Sequence, residues 1–233
     1  MRKLDESLLT HLPPFSELGR EQIREILDRA TPQRYDTGDT VFHEGEEAGR
    51  FFLLLDGYVR VVRMTAEGEH VTVLHIAAGQ LFGIAAALGN ERYPASAVAA
   101  SDTIALGWPM RLWHDFTATY PGFAASGYKT VGNRMEEIHK RVVEMATQQV
   151  EQRVANALLR LITQMGRRTD AGIEVDFPIT RQDLSEMTGT TLHTVSRLLS
   201  AWEKRGIVES KRKHIMVREP HQLVMLAEPA VSS

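Results

Sequence analysis

The first half of the chain consists of short apolar or alternating stretches separated by glycines. Between Tyr35 and about Trp108 they read TVFHEG, FFLLLDG, YVRVVRMTAEG, HVTVLHIAAG, ASAVAA and TIALGW. The glycines lie at positions 38, 45, 57, 68, 79 and 83, near the spacing of about 8–12 residues typical of a sandwich or barrel of short strands. Ala66-Glu67-Gly68 is predicted to form a hairpin turn. Because no helix alternates with these strands, a parallel α/β sheet is not expected.

A short helix is predicted before the strands, over residues 16–30 (SELGREQIREILDRA). Ser16 is the candidate N-cap, and Pro32 is expected to end the helix. The apolar positions fall near helical spacing. They are Leu18, Ile23, Ile26 and Leu27.

A long helix is predicted from about Ala124 to Met145. Its apolar positions recur at steps of 4, 3, 4 and 3. They are Val131, Met135, Ile138, Val142 and Met145. This stripe fits either a helix packed on its own domain or the seam of a dimer. The seam is favoured because the neighbouring positions Glu136, Lys140 and Glu144 are charged.

The chain then shows a polar break at Thr147-Gln148-Gln149 and an amphipathic helix with the sequence VEQRVANALLRLITQM. Residues Gly166 to Gly172 are interpreted as a polar loop, and Glu174 to Pro178 as a short extended segment.

The segment TRQDLSEMTGTTLHTVSRLLSAWEKRG, residues 180–206, has the pattern of a helix-turn-helix. Thr180 and Asp183 form a variant of the capping box at the start of the first helix. Gly189 lies where a tight turn between helices needs a small residue with permissive backbone angles. The following residues, IVESKRKHIMV, predict two short strands around a basic tip, a wing.

This arrangement suits double-stranded DNA, because a recognition helix presents its N-terminal residues to base edges in the major groove. The alternative is a helical hairpin in a protein-interaction domain. The predicted base contacts are Thr191, Leu192, His193, Ser196 and Arg197. The predicted phosphate contacts are Thr180, Arg181, Gln182, Thr194, Lys211 and Lys213.

The charge distribution agrees with a local DNA site. The 233 residues carry a formal net charge of −3, but residues 180–214 hold 7 basic and 4 acidic side chains. The chain has no cysteine, which excludes disulfides, a catalytic thiol and a cysteine-held iron–sulfur cluster. The most apolar run, Leu81 to Leu88, is shorter than the ~20 residues of a membrane span. With no signal-peptide pattern, a cytoplasmic location and no membrane partner are expected.

Residues 15–220 resemble the CRP/FNR family of bacterial transcription regulators, most specifically in ITRQDLSEMTGTTLHTVSRLLSAWEKRGIV. The resemblance implies an α+β fold with an antiparallel β-roll of the cyclic-nucleotide-binding, jelly-roll type (1–120). A dimerisation helix (121–146) and a winged helix-turn-helix (147–233) would follow. It also implies a homodimer on a pseudopalindromic operator, RNA polymerase as a further partner, and no enzymatic activity.

The resemblance does not extend to the cyclic-nucleotide site. After Gly79-Gln80-Leu81-Phe82-Gly83, Ile84 stands where binding members have a ribose-binding glutamate, and Ala95 stands where they have the phosphate-binding arginine. Arg92 is a nearby substitute. Because an anionic phosphate would lose its charged partner, no tight binding of cyclic AMP is expected. The expected effector pocket comprises Gly83, Ile84, Ala95, Ser96, Ile138 and His139.

The recognition helix indicates both a base preference and a branch of the family. By resemblance, Ser196 and Arg197 would read a T and a G in a TTG-type half-site, whereas His193 departs from the usual glutamate. His-Thr-Val-Ser-Arg resembles the nitric-oxide-responsive branch that controls denitrification genes. Such sensing suggests haem, with His139 or His11 as candidate ligand.

Two further functions remain open at this stage. A constitutive DNA-binding dimer would explain the missing glutamate and arginine of the pocket. A cupin-type metalloenzyme would need clustered ligands such as His-x-His, a motif that the sequence lacks.

Overall fold

The computed structural model describes residues 5–66, 68 and 70–228. The chain forms two compact units. The first comprises the chain up to Arg63 together with Leu74–Glu137. The second comprises Met64–Val73 together with the chain from Ile138 onward. The boundary between the units falls inside the long helix and inside a strand pair. The expected division at 120/121 and 146/147 stays a prediction.

The β-roll consists of two antiparallel four-stranded sheets, ordered β1-β8-β3-β6 and β2-β7-β4-β5. The expected fold class is therefore confirmed. The strands are β1 (Thr31–Tyr35), β2 (Thr40–Phe42), β3 (Arg50–Asp56), β4 (Val59–Met64), β5 (His70–Ile76), β6 (Leu81–Phe82), β7 (Ser96–Ala99) and β8 (Thr103–Pro109). Helix α1 (Arg20–Leu27) precedes them, and α2 (Leu112–Thr119) and α3 (Pro121–Thr147) follow.

Aromatic side chains fill the core of the first unit. The rings of Phe51 and Trp108 stack with centroids 5.4 Å apart, and both side chains are fully buried. Trp108 Nε1 donates to the carbonyl of Ile26 at 2.8 Å, which satisfies the buried indole and fixes α1 to the sheet. A Cβ built at Gly127 of α3 would lie 2.8 Å from the Trp113 ring, so only a glycine lets α3 pack this closely.

The backbone angles of the turns explain why glycines lie between the strands. All six adopt positive φ angles, which L side chains rarely adopt. The strongest case is Gly57, where φ is +82° and a Cβ would lie 2.2 Å from the Asp102 carbonyl oxygen. The sequence pattern thus marks real turns. Glu67 of the predicted turn lies outside the described residues.

Three local predictions were wrong. Helix α1 begins at Arg20 rather than residue 16, because Gly19 is its N-cap and donates its N–H to Gln22 Oε1 at 2.9 Å. The Ser16 hydroxyl instead donates to Pro13. Pro32 lies within β1. The segment from Gly166 is not a loop, because β9 (Gly166–Thr169) pairs with β10 (Gly172–Val175).

The second unit forms around α4 (Val150–Met165), whose bounds match the predicted helix. The remaining elements are α5 (Arg181–Thr188), α6 (Leu192–Lys204), β11 (Val208–Lys211), β12 (His214–Val217) and α7 (Pro220–Ala227). The four strands form one sheet in the order β11-β12-β10-β9. Trp202 of α6 is fully buried and donates from Nε1 to Glu151 of α4 at 3.1 Å.

Candidate nucleic-acid interface

The first helix of the motif, α5, begins at a complete capping box, as predicted. The Thr180 hydroxyl accepts from the Asp183 N–H at 3.1 Å, and Asp183 Oδ2 accepts from the Thr180 N–H at 2.7 Å. The Thr180 hydroxyl also donates to Asp183 at 2.6 Å. These bonds satisfy end groups of the helix that would otherwise lack partners and fix where α5 starts.

The turn between the two helices depends on Gly189. Its φ is +59°, the left-handed conformation that glycine adopts without steric cost. A Cβ there would lie 2.8 Å from Met145 Cε. Ser185 donates to the carbonyl of Thr190 at 2.6 Å and holds the turn closed. The predicted tight turn is present, and it requires both the backbone angle and the absence of a side chain.

Helix α6 has one buried and one exposed face. Val195, Leu199 and Trp202 are fully buried and hold the helix on the unit. Thr191 is the N-cap, accepting from the Thr194 N–H at 3.2 Å. The N-terminal exposed face comprises Thr191, Leu192, His193 and Arg197, with Ser196 half-buried beside them. The five predicted base contacts therefore lie together on one protruding helix end.

The predicted phosphate contacts differ in whether their side chains already bond to other groups of the protein. The Arg181 guanidinium turns towards the protein: Nε donates to Ser210 at 3.2 Å and Nη2 lies 3.5 Å from a Glu203 carboxylate oxygen. Gln182 is exposed and donates to Glu186 at 3.2 Å. The Thr194 hydroxyl lies 3.0 Å from that of Thr191. The predicted phosphate contact of Arg181 therefore requires that its guanidinium leave the Glu203 carboxylate.

The wing is the hairpin of β11 and β12. Lys211 at its tip is 73% exposed, but its Nζ lies 2.6 Å from Glu209 Oε1. Glu209 also accepts from Arg218. Hydrogen bonds from Lys211 and Arg218 lower the pKa of Glu209 to about 2. The carboxylate therefore stays ionised and offsets part of the wing's positive charge.

Two exposed cations complete the tip. Lys213 is exposed and has a φ of 60°, an uncommon angle for a residue other than glycine. Neither Lys213 nor Arg212 forms an ion pair within residues 5–66, 68 and 70–228. Arg212 was not among the predicted phosphate contacts, although its place between Lys211 and Lys213 in the sequence could have identified it.

The residues of the expected effector pocket lie in both compact units. In the first unit, Ile84 and Ala95 are 3% and 8% exposed. Gly83 has a φ of +65°, and the Ser96 hydroxyl accepts from the Glu44 N–H at 2.8 Å. The substitute residue Arg92 is exposed and donates to the carbonyl of Gly45. Ile138 and His139 belong to the second unit and are exposed.

The apolar stripe of α3 divides into two parts. Val131 is half-buried and packs against the aromatic core of the β-roll. Ile138 is 37% exposed, and Met135, Val142 and Met145 are more than half exposed. Tyr128, seven residues before Met135, is 59% exposed and was not among the predicted seam residues.

The described residues present no preformed metal centre. No group of three or more His, Cys, Asp or Glu side chains in that part of the chain could hold a metal ion. The two candidate haem ligands, His11 and His139, are both exposed. None of the described helices is long and apolar enough to cross a membrane.

Two family profiles match the chain. The profile described as "Cyclic nucleotide-binding domain" matches residues 32–120, and the one described as "Crp-like helix-turn-helix domain" matches residues 152–226. The chain is 25% identical to electron transport regulator A of Shewanella oneidensis, over 96% of this chain and 89% of that protein. It is 26% identical to the fumarate and nitrate reduction regulatory protein of Vibrio cholerae, over 92% and 85%.

Solved structures agree in fold. FixK2 from Bradyrhizobium japonicum superposes with a TM-score of 0.76 at 21% identity, over 87% of this chain and 99% of that one. A CooA variant from Carboxydothermus hydrogenoformans gives a TM-score of 0.73 at 22% identity, over 88% and 90%. The sequence relatives are regulators, which confirms that this chain is not an enzyme. The two profiles in this order, with relatives aligned over nearly the whole length, show that the chain is a member of the CRP/FNR family of DNA-binding transcription regulators.

Proposed function

We propose that the chain acts as a homodimer that reads a pseudopalindromic operator with TTG-type half-sites. The observation that carries this proposal is the exposed N-terminal face of α6, where Arg197 and His193 protrude and Ser196 lies beside them. Arginine bonds guanine O6 and N7 bidentately, which selects that base by about 1–3 kcal/mol. The wing lysines add phosphate contacts that are independent of sequence.

The exposed side of α3 supports the dimer. Tyr128, Met135 and Val142 follow at intervals of seven residues, and each is 59% exposed. Large apolar side chains repeating every heptad along one helix are typical of a coiled-coil seam. A second copy of the chain would bury this stripe and place two α6 helices at two half-sites. RNA polymerase is then the natural further partner for a regulator bound at a promoter.

Control by an effector in the β-roll is part of the proposal. Nitric oxide acting through haem is one candidate, supported by the His193-Thr194-Val195-Ser196-Arg197 pattern. Haem needs an axial ligand in an apolar pocket. The exposed imidazoles of His11 and His139 do not offer such a pocket, so no step is assigned to haem. This input stays a prediction, which a haem titration with and without nitric oxide tests by its Soret band.

Duplex binding by the purified chain tests the DNA function. We expect a palindrome of two TTG-type half-sites, centred about 10 base pairs apart, to bind at least ~10³-fold tighter than a scrambled duplex at physiological salt. Inserting ~5 base pairs between the half-sites turns them to opposite faces and should abolish this preference. Equal binding to all three duplexes would contradict the proposal. If no effector changes the affinity for the operator, the result favours the alternative of a constitutive DNA-binding dimer.

A further inference from the structure

The wing is attached to both helices of the helix-turn-helix by one hydrogen-bond network. Arg181, the first residue of α5, donates from Nε to the Ser210 hydroxyl of β11 at 3.2 Å. Its Nη2 lies 3.5 Å from Oε2 of Glu203, the penultimate residue of α6. The other oxygen of that carboxylate, Oε1, accepts from the Ser210 N–H at 2.9 Å. These three residues therefore join the start of α5, the end of α6 and the wing.

A backbone hydrogen bond fixes the wing a second time, at the other side of its tip. The Ile179 N–H, just before α5, donates to the carbonyl of Lys213 at 3.2 Å. Ile179 is fully buried, and Ile215, two residues after Lys213, is 1% exposed. The bonds at Ser210 and Lys213 thus lie on either side of the exposed Arg212. The tip of the wing has a defined position relative to α5 and α6.

The arrangement suits Arg181 to holding the carboxylate of Glu203 rather than a phosphate. A guanidinium carries five N–H donors in a rigid fork, so one arginine can bridge a hydroxyl and a carboxylate. A DNA phosphate bound by Arg181 would lie close to the Glu203 carboxylate, because the same guanidinium reaches both. Two anions brought together at an interface repel each other. Binding of phosphate by Arg181 would also release Ser210 from its side chain.

We propose that Arg181 is a positioning residue of the DNA interface: with Glu203 it fixes the wing relative to α6, and it does not itself contact a phosphate. The proposal rests on the proposed function, since it assigns a role within the operator complex, and it replaces the phosphate contact expected for Arg181. Holding the wing before DNA arrives reduces the conformational entropy that binding has to overcome. The wing cations then meet the phosphates at a fixed distance from the base-reading end of α6.

Glu203→Ala in the full chain separates the two roles of Arg181, because they predict effects of opposite sign. Alanine removes the carboxylate and keeps the helix propensity of α6. With Arg181 as a positioning residue, operator binding should weaken about 3- to 10-fold, and the slope of log K against log salt should become shallower. With Arg181 as a phosphate contact, the freed guanidinium would tighten binding and steepen the slope. The control Glu219→Ala removes an exposed carboxylate without a side-chain cap bond and should not weaken binding.

Removal of the wing charges shows whether the effect of Glu203 passes through the wing. In a variant that combines Lys211→Ala, Arg212→Ala and Lys213→Ala, Glu203→Ala should weaken operator binding by less than about 2-fold, because no wing cation is left to position. An undiminished loss in that background overturns the proposal. Unchanged or tighter binding by Glu203→Ala in the otherwise unaltered chain overturns it as well.

A measurement without DNA keeps this test separate from the proposed function. Arg181→Gln should speed hydrogen exchange of the Ser210 N–H about 2- to 10-fold in the free chain, the effect of weakening one hydrogen bond. Exchange of the Asp183 N–H in the capping box should stay the same, which shows that α5 still starts correctly. Unchanged exchange at Ser210 overturns the positioning role. Equal binding of the unaltered chain to operator and scrambled duplex contradicts the proposed function instead, and the exchange result still decides the role of Arg181.

Discussion

Arg160 of α4 donates from Nη1 to both carboxylate oxygens of Glu144 on α3, at 2.6 and 2.8 Å. The two side chains are only 19% and 16% exposed. Asn156 of α4 donates to Gln148 at 3.0 Å beside them. The polar break between the helices at 147–149 is therefore bridged by side chains from both sides. The end of α3 is fixed to α4, and the break does not act as a free hinge.

Glu144→Gln should lower the free energy of unfolding of the second unit by about 2 kcal/mol, since it leaves a largely buried Arg160 without its anion. Denaturant unfolding followed by the NMR signal of the Trp202 indole N–H measures this. Replacing both partners, Glu144→Leu with Arg160→Met, should recover much of the loss. If the single variant is as stable as the parent, the ion pair does not fix α3 to α4.

Gly189→Ala should destabilise the helix-turn-helix by more than the ~1 kcal/mol that a left-handed glycine position alone costs. The added Cβ would lie 2.8 Å from Met145 Cε. Gly206→Ala is the matched control, because its φ is +73° but nothing lies within 4 Å of the new Cβ. The difference between the thermal midpoints of the two variants measures the steric cost of the contact between the new Cβ and Met145. Equal losses would show that Met145 moves aside without cost.

Arg197→Ala should lose about 1–3 kcal/mol of binding per half-site and relax selection at the guanine. Competition between operators that differ at that base measures the loss of discrimination. Arg205→Ala removes the same charge from the exposed C-terminal end of α6. This control should weaken all duplexes slightly and keep the base preference. Undiminished selection by Arg197→Ala would rule out the proposed contact.

The low pKa of Glu209 determines the pH behaviour of the wing. Because the folded pKa of about 2 lies below the ordinary value of 4.5, the carboxylate stabilises the folded state above pH 4.5. That contribution is lost as the pH falls towards 2. Between pH 5 and 8 the charge of Glu209 does not change, so DNA binding in this range is unaffected by its titration.

Glu209→Gln should therefore tighten binding to every duplex, since it releases Lys211 and Arg218 for phosphates. The slope of log K against log salt should steepen by up to about one, and base preference should stay the same. Glu91→Gln, an exposed position in the first unit, serves as the charge-matched control. Lys211→Ala should reduce the slope by at most about one. A slope that neither wing variant changes would exclude the wing from the interface.

Val142→Glu should shift the chain from dimer to monomer, because it places a charge in the centre of the exposed apolar stripe. Sedimentation velocity measures the association. Asn133→Glu adds the same charge at an exposed position on another side of α3 and should leave the dimer intact. If the Val142→Glu variant dimerises as tightly as the parent chain, the dimer interface lies elsewhere.

The sequence was most informative where a local rule determines the structure. Thr180 and Asp183 identify a helix start because their side chains satisfy backbone groups three residues away. Gly57 and Gly189 identify turns because only glycine fits their angles or surroundings. The bounds of α4 and the turn before α6 were predicted correctly. The five residues predicted to contact bases lie on one face of α6, and the contacts themselves stay a prediction.

Tertiary packing explains what the sequence could not show. Arg134 has no motif around it, and only the structure shows that it donates to the carbonyl of Leu81. Val131 fits the heptad stripe by spacing alone, but the β-roll core half-buries it. The exposed strand β9 has four accessible residues and no apolar pattern, so its pairing with β10 is visible only in the structure.

The boundary between the compact units limits how this regulator can be recombined with others. The backbone crosses it three times, after Arg63, after Val73 and after Glu137. A chimera joined at the polar break 147–149 would separate α4 from the final turns of α3 that support it. A junction at Glu137/Ile138 keeps those turns, but the donor's segment 64–73 must be transplanted as well. Exchange of specificity between such proteins is therefore best made by grafting the exposed face of α6, which leaves all three crossings intact.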